Sequence, residues 1–499
     1  MYISKLVRWV IWATCVGLAP LESFAFNSGS TGADGAFNPT VNTEVQVPPS
    51  GVFNFTSVDI PNGITVTFRS NATNTPVVML VQGDANVAGT VQLNGAASPS
   101  TGHSGDGNIT DDGDPGRGGP GGFDGGRGGQ APRGSAGRGL GPGGGEGGHY
   151  VPDSTWGGVT CTYGLGAGGG YASVGGSVTS GGGGYFPEAI AVGGSTYGVS
   201  TVLPLIGGSG GGGGTGGPSF AGSGGGGGGG ALLIAASGAV TLSGVILADG
   251  ANAGDDDTGQ NNGAAGGGGS GGAVRIIASR LQGAGKVFAR GGQGGVSENW
   301  GMYSQTASRG GAGSPGRVRL EAEVFTFTGS TTPHYDVVAT PAPAFVPNLP
   351  GLRIVAVGGF PVPQQPVGRA DVTLPFGTPN PVAVEVETQG IPVSSVVQVR
   401  VVPEFGGATS VDSSPTAGTL DSASTSVDLD IPDGASVIEA EATFTVTADL
   451  GVRLAPYALN EPLDRVRVTA TLGQPSTMIL QTASGREVEV PAAALAAGW

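Results

Sequence analysis

Three stretches of this chain end in the same pair of glycines, six positions apart: Gly89 and Gly95, Gly244 and Gly250, Gly285 and Gly291. The segments 76–95, 231–250 and 273–292 that carry them can be laid over one another almost without gaps, and 317–329 joins them up to Gly329. An apolar residue (Leu80, Ile234, Ile276, Leu320) precedes the first glycine of each by nine or ten positions. Every unit holds short runs of β-branched and aliphatic residues broken by Gly, Asn, Asp or Ser, the pattern of strands and bends. So small a unit cannot bury its own inner face, so the units must stack, each strand pairing with its equivalents above and below. The expectation is an all-β chain whose residues 26–338 form a right-handed parallel β-helix or solenoid, begun by the similar stretch 51–68.

Glycine-rich insertions follow the second glycine of each pair, at about 96–230, 251–272 and 293–316. Gly makes up 102 of the 499 residues, yet 38% are hydrophobic and only 12% charged, which is not the composition of a disordered chain. A long helical protein is excluded, since each helical Gly costs about 1 kcal/mol. The insertions fit two descriptions. They are flexible loops, or they are extended helices of three residues per turn, packed side by side as polyglycine II with lateral N–H to C=O bonds that only Gly allows. Phe123, Tyr150, Trp156, Tyr171, Tyr185, Phe186 and Phe220 within these runs favour the ordered form, because a spacer has no use for them.

Residues 339–351 (ATPAPAFVPNLPG) read as a Pro-rich linker, stiff and extended. Beyond it, over 352–499, Gly falls to ordinary levels and alternating runs such as VAVEVE and VQVRV point to antiparallel sheets of an immunoglobulin-like β-sandwich.

Residues 1–25 carry Lys5 and Arg8, an apolar run from Trp9 to Leu18, and Ser23-Phe24-Ala25 as a small-x-small site, the layout of a secretory signal peptide cleaved near Ala25. No later segment is apolar and long enough to span a bilayer, so the expected location is extracellular or at a bacterial cell surface, with no integral membrane segment. Cleavage shifts the formal charge from -16 to -17, since Lys5, Arg8 and Glu22 depart. It also leaves Lys286 as the one lysine and Cys161 as the one cysteine. Such a charge argues against nucleic acid as a partner, and a single cysteine leaves no disulfide framework.

The histidines His103, His149 and His334 are far apart and in no metal-binding spacing, and no nucleophile motif occurs in a fitting context. No catalytic residue is assigned. Carboxylates recur at Asp84, Asp249 and Glu321 and arginines at Arg275, Arg290, Arg317 and Arg319, most of them expected as solvated charges on bends and outward positions. Two Asp-rich stretches offer oxygen ligands for a structural Ca²⁺: Asp106, Asn108, Asp111, Asp112 and Asp114, or Asp255, Asp256 and Asp257. No other cofactor is expected.

An export signal, stacked repeats ending Gly-x5-Gly, GGGGSGG-type insertions and a terminal sandwich together resemble secreted bacterial glycine-rich β-solenoid proteins of the adhesin or surface-structural sort. The polyglycine runs also resemble the ridges of phage tail-tip adhesins. The resemblance implies a non-enzymatic surface or adhesion protein whose partners are cell-surface or matrix glycans or proteins, with self-association open. The alternative is a polysaccharide-active or carbohydrate-binding β-helix protein.

Overall fold

The computed structural model describes residues 26–101, 108, 110–153, 160–162, 164–179, 190–256, 263–297, 308–346, 349–363, 372–458, 461–473, 476–490 and 495. The expected signal peptide, together with Asp106, Asp257, Trp156, Tyr185 and Phe186, lies outside them. Among the described residues the regular structure is almost all strand. Up to residue 338 it passes alternately through two parallel sheets, first through β1 (Gly35–Phe37), β2 (Thr43–Gln46), β3 (Val52–Ile60), β4 (Thr65–Arg69), β5 (Val77–Val81), β6 (Ala85–Val87) and β7 (Thr90–Gln92). After a long insertion come β8 (Ala231–Leu242), β9 (Val245–Leu247), β10 (Ala273–Gly283), β11 (Lys286–Phe288), β12 (Arg317–Phe327), β13 (Ser330–Thr332) and β14 (Asp336–Val338). The first sheet runs β1-β3-β5-β8-β10-β12-β14, with β6 alongside β3 and β8; the second runs β2-β4-β7-β9-β11-β13.

The repeats pair in the register that their glycines define between the first and second (Leu232 against Val77) and between the third and fourth (Val274 against Val318); Leu232 meets Val274 one position off it, a shift taken up between Ala236 and Ala239. In the inward row Ile234, Ile276 and Leu320 line up with Met79, while Leu80, the residue singled out by its distance from Gly89, faces outward. Gly89, Gly244, Gly285 and Gly329 form a column in which a Cβ on each of the last three would strike the carbonyl oxygen of the glycine before it. That close approach is why the first glycine of the pair recurs. Two strands precede 51–68, so β1 and β2 extend the stack beyond the sequence reading.

Between the sheets lies one core that includes Met79, Leu232, Ile234, Ile246, Ile276, Val287 and Leu320, all essentially inaccessible. Full burial of each such side chain contributes about 1.5–3 kcal/mol. One end is closed by Phe37, Phe53, Phe55 and Phe68, with rings 5.2–6.1 Å apart, and the other by Phe325, Phe327 and Tyr335 at 6.0–6.4 Å. The first sheet is also covered outside, where Val78, Leu80, Leu233, Ala235 and Ile277 pack against Phe26, Leu205, Ala344 and Phe345. Burial on both faces explains why β5 and the first half of β8 are continuously apolar.

All three insertions leave after a strand of the second sheet and return at the start of a strand of the first. Their described residues are joined by backbone hydrogen bonds between segments. Around 208–216 the donors step by three: the N–H groups of Gly208, Gly211 and Gly214 reach Gly229, Gly226 and Ser223, those of Gly210, Gly213 and Gly216 reach Leu140, Gly137 and Gly134, and those of Gly212 and Thr215 reach Ala167 and Gly164. The carbonyls accept with the same step, from Phe123, Gly126 and Gly129, from Gly145 and Gly148, and from Ser270, Gly267 and Ala264. One extended segment is thus bonded to six neighbours. Its glycines are buried, and a Cβ on Gly212 would overlap the Glu146 carbonyl.

Residues 339–351 do not form a free spacer. Phe345 packs on the outer face of the first sheet, while Val346 and Leu349 pack into a second core with Val384, Val399, Val468 and Leu480. That second core sits among antiparallel strands, which include Gly351–Val357, Val382–Gln389, Ala423–Leu429, Ser436–Thr445 and Leu463–Thr471.

Replacing Gly212 with Ala should destabilise the glycine array by at least about 1–3 kcal/mol, as overpacking does. Gly407, which has open space around it, is the control. The check is the melting temperature of the two Ala variants: a clear drop for Gly212→Ala and almost none for Gly407→Ala.

Candidate functional site

The polar groups that distinguish this chain sit where the glycine array meets the sheets and on the covered face of the first sheet. Along one margin of the array, side chains of one repeat hold backbone N–H groups of the next. Asn94 Oδ1 accepts from Asp249 N at 2.8 Å, Asp249 Oδ1 from Arg290 N at 2.6 Å, Asn252 Oδ1 from Gln293 N at 2.8 Å, and Asp255 Oδ1 from Val296 N at 2.7 Å. Asp249 also ion-pairs with Arg290 at 2.6 Å, which raises the already high pKa of that guanidinium. The Arg290 guanidinium in turn stacks 4.4 Å over the Phe288 ring. Asp84 Oδ1 accepts from Ala239 N at 2.7 Å. These acceptors satisfy N–H groups at the bends, where the strand ladder leaves them without a partner.

At the root of the array Tyr171 and Tyr197 pack against each other, tilted, with ring centroids 4.5 Å apart, and Arg317 lies 5.5 Å from the Tyr171 ring. Tyr171 donates to the Ile206 carbonyl at 2.9 Å, and Tyr197 bonds to Gly207 and Ser209. Burial pushes both phenols well above their ordinary value, so they stay neutral donors. The array thus incorporates Tyr171, as a use for its aromatic residues required, but Tyr197 was not foreseen. Its signal is a lone Tyr between glycines in GGSTYG.

Arg275 and Glu321 are not solvated charges on outward positions: both are buried, and their ion pair measures 2.8 Å. Arg319 shares the same carboxylate oxygen at 2.8 Å, and Ala342 N donates to the other at 2.7 Å. Arg275 reaches further, to the carbonyls of Pro343 and Ala344 at 3.0 and 3.2 Å. The charges can lie on this face because residues 342–345 cover it and supply their remaining partners. Burial pushes the Glu321 carboxyl up, but the guanidinium of Arg275, helped by Ala342 N–H and Arg319, outweighs it and holds the group below the ordinary carboxylate range.

The Asp-rich stretches lie elsewhere. Asn108 Oδ1 accepts from Thr110 within its own turn, Asp114 pairs with Arg127, and Asp111 and Asp112 are half-buried beside them. Asp255 is an exposed rung of the ladder above, and Asp256 is buried between Thr101 and Ser297 in parallel bridges. Among the described residues no three His, Cys, Asp or Glu side chains converge as metal ligands, and no helix is long and apolar enough to cross a membrane. Cys161 lies on the short strand Thr160–Thr162. No family model matches the chain, and neither a curated protein nor a solved structure matches it.

Replacing Glu321 with Gln leaves Arg275 buried without its countercharge and should cost about 3–5 kcal/mol. Limited proteolysis checks this, with cleavage in 339–351 accelerating in the variant. For the unaltered protein, the stabilisation from a depressed carboxyl is complete above the unfolded value near 4.3 and is lost as pH falls through the lower folded value. Protease resistance of the linker should therefore hold from neutral pH to about 5 and fall in more acidic buffer.

Proposed function

We propose that this is an exported, non-enzymatic surface or adhesion protein in which a right-handed parallel β-solenoid carries a rigid polyglycine II slab and an immunoglobulin-like sandwich. The observation that carries the reading is the bonding of 208–216 to six neighbouring segments with a three-residue step. Backbone satisfied in this way gives a stiff body in which little side-chain chemistry is possible, as suits a scaffold that presents its margins and loop tips to a partner. The recurrent carboxylates support the same reading, since Asp84, Asp249 and Glu321 are each engaged in holding backbone or arginine groups. Partners of this type are glycans or proteins of a cell surface or matrix.

The test combines location and turnover. In the native host the protein should be found outside the cytoplasm, and its deletion should weaken surface attachment or matrix integrity. The purified protein should bind partners on a glycan or matrix-protein array without releasing sugar. New reducing ends or unsaturated products from acidic glycans, or a cytoplasmic location, would contradict the proposal.

A further inference from the structure

The first described residues form a strap that runs crosswise over the first sheet. Phe26 N donates to Glu323 Oε1 on β12 at 2.9 Å. Ser28 N donates to Ser237 Oγ on β8 at 3.0 Å, and Ser28 Oγ to the Val81 carbonyl at the end of β5 at 2.8 Å. Ser30 Oγ then donates to the Phe55 carbonyl on β3 at 2.8 Å, and Asp34 Oδ2 accepts from Asn54 N at 2.6 Å. Nine residues thereby touch four strands that are separated by as many as 269 positions in sequence. The ring of Phe26 is part-buried in the apolar layer on the outer face, beside Phe345.

Phe26 directly follows the small-x-small site Ser23-Phe24-Ala25 that the sequence carries. A carboxylate facing a main-chain amide gains one neutral donor; facing a chain terminus it gains a full positive charge with three donors. We infer that Phe26 is the processed amino terminus of this protein and that Glu323 is its seat. Hydrolysis of the Ala25–Phe26 peptide bond by an export endopeptidase breaks the C–N bond. Water supplies the hydroxyl of the new Ala25 carboxyl group and its other hydrogen to the Phe26 nitrogen; the carboxyl group then ionises, and the Phe26 amine takes up the proton to become the ammonium that Glu323 holds. Processing therefore tightens the strap, which ties together strands that lie far apart in sequence. The inference rests on the export reading and its cleavage site, and adds the partner of the new terminus.

The experiment uses the exported full chain. N-terminal sequencing should begin Phe26-Asn27-Ser28. Reductive methylation with ¹³C-formaldehyde then labels two amines, the terminus and Lys286, the one lysine beyond residue 25. NMR titration should place the terminal amine a few tenths of a unit above its ordinary value of about 7.7–8.0, the size expected of an exposed ion pair. In Glu323→Gln the terminal signal should return to that ordinary value while the amides of Ala231–Leu242 stay protected from hydrogen exchange, which reports an intact fold. Equal terminal pKa values in both proteins, or cleavage at another bond, would overturn this inference alone. An uncleaved chain retained in the cytoplasm would overturn the export reading with it.

Discussion

Everything distinctive in this molecule depends on backbone groups bonding to backbone groups at a distance that a side chain would forbid. In an ordinary sheet each strand has two neighbours, and side chains fill the spaces above and below. Where the side chain is a hydrogen atom, an extended segment can turn its N–H and C=O groups in three directions and bond to six neighbours, as 208–216 does. The array pays no penalty for buried polar backbone because nearly every group there finds a partner. It tolerates few alternatives to glycine for the same reason.

The two parallel sheets make that array possible. Their register fixes where each insertion leaves and returns, so segments that are far apart in sequence start side by side. The column from Gly89 to Gly329 lets successive repeats approach at one bend, and the Asn94–Asp249–Arg290 and Asp255–Val296 contacts hold the next bend in step. Aromatic residues close the two ends of the core, and the outer face of the first sheet is closed by the strap from Phe26, by Leu205 and by residues 342–345. Arg275 and Glu321 join the last of these covers to the sheet with charge as well as apolar contact, so the chain enters its C-terminal sheets from a fixed point.

The parallel pairing and its register were legible because they are written in local periodicity: glycine spacing and apolar runs survive in one sequence. Met79 displacing Leu80 in the inward row shows the limit, since VVMLV is apolar at every position and periodicity cannot tell which residues face inward when both faces are buried. The burial of Arg275 and Glu321 was not legible, because it is created by a cover some twenty residues downstream of Glu321, and a charged residue on an outward position is ordinarily solvated. The Pro-rich composition of 339–351 says nothing of Phe345 docking. The six-neighbour bonding could be named as a possibility from the glycine runs, whereas its partners, such as Gly213 with Gly137 or Gly226 with Gly267, follow from the three-dimensional path alone.

Amide hydrogen exchange over 208–216 in the full-length protein tests the account most directly. If each glycine N–H is bonded inside a six-neighbour array, these amides should exchange as slowly as those of the apolar strand Ala231–Leu242, orders of magnitude slower than an open chain. Exchange at the rate of unstructured glycine, with Ala231–Leu242 still protected, would contradict it and return the insertions to flexible loops on a folded pair of sheets.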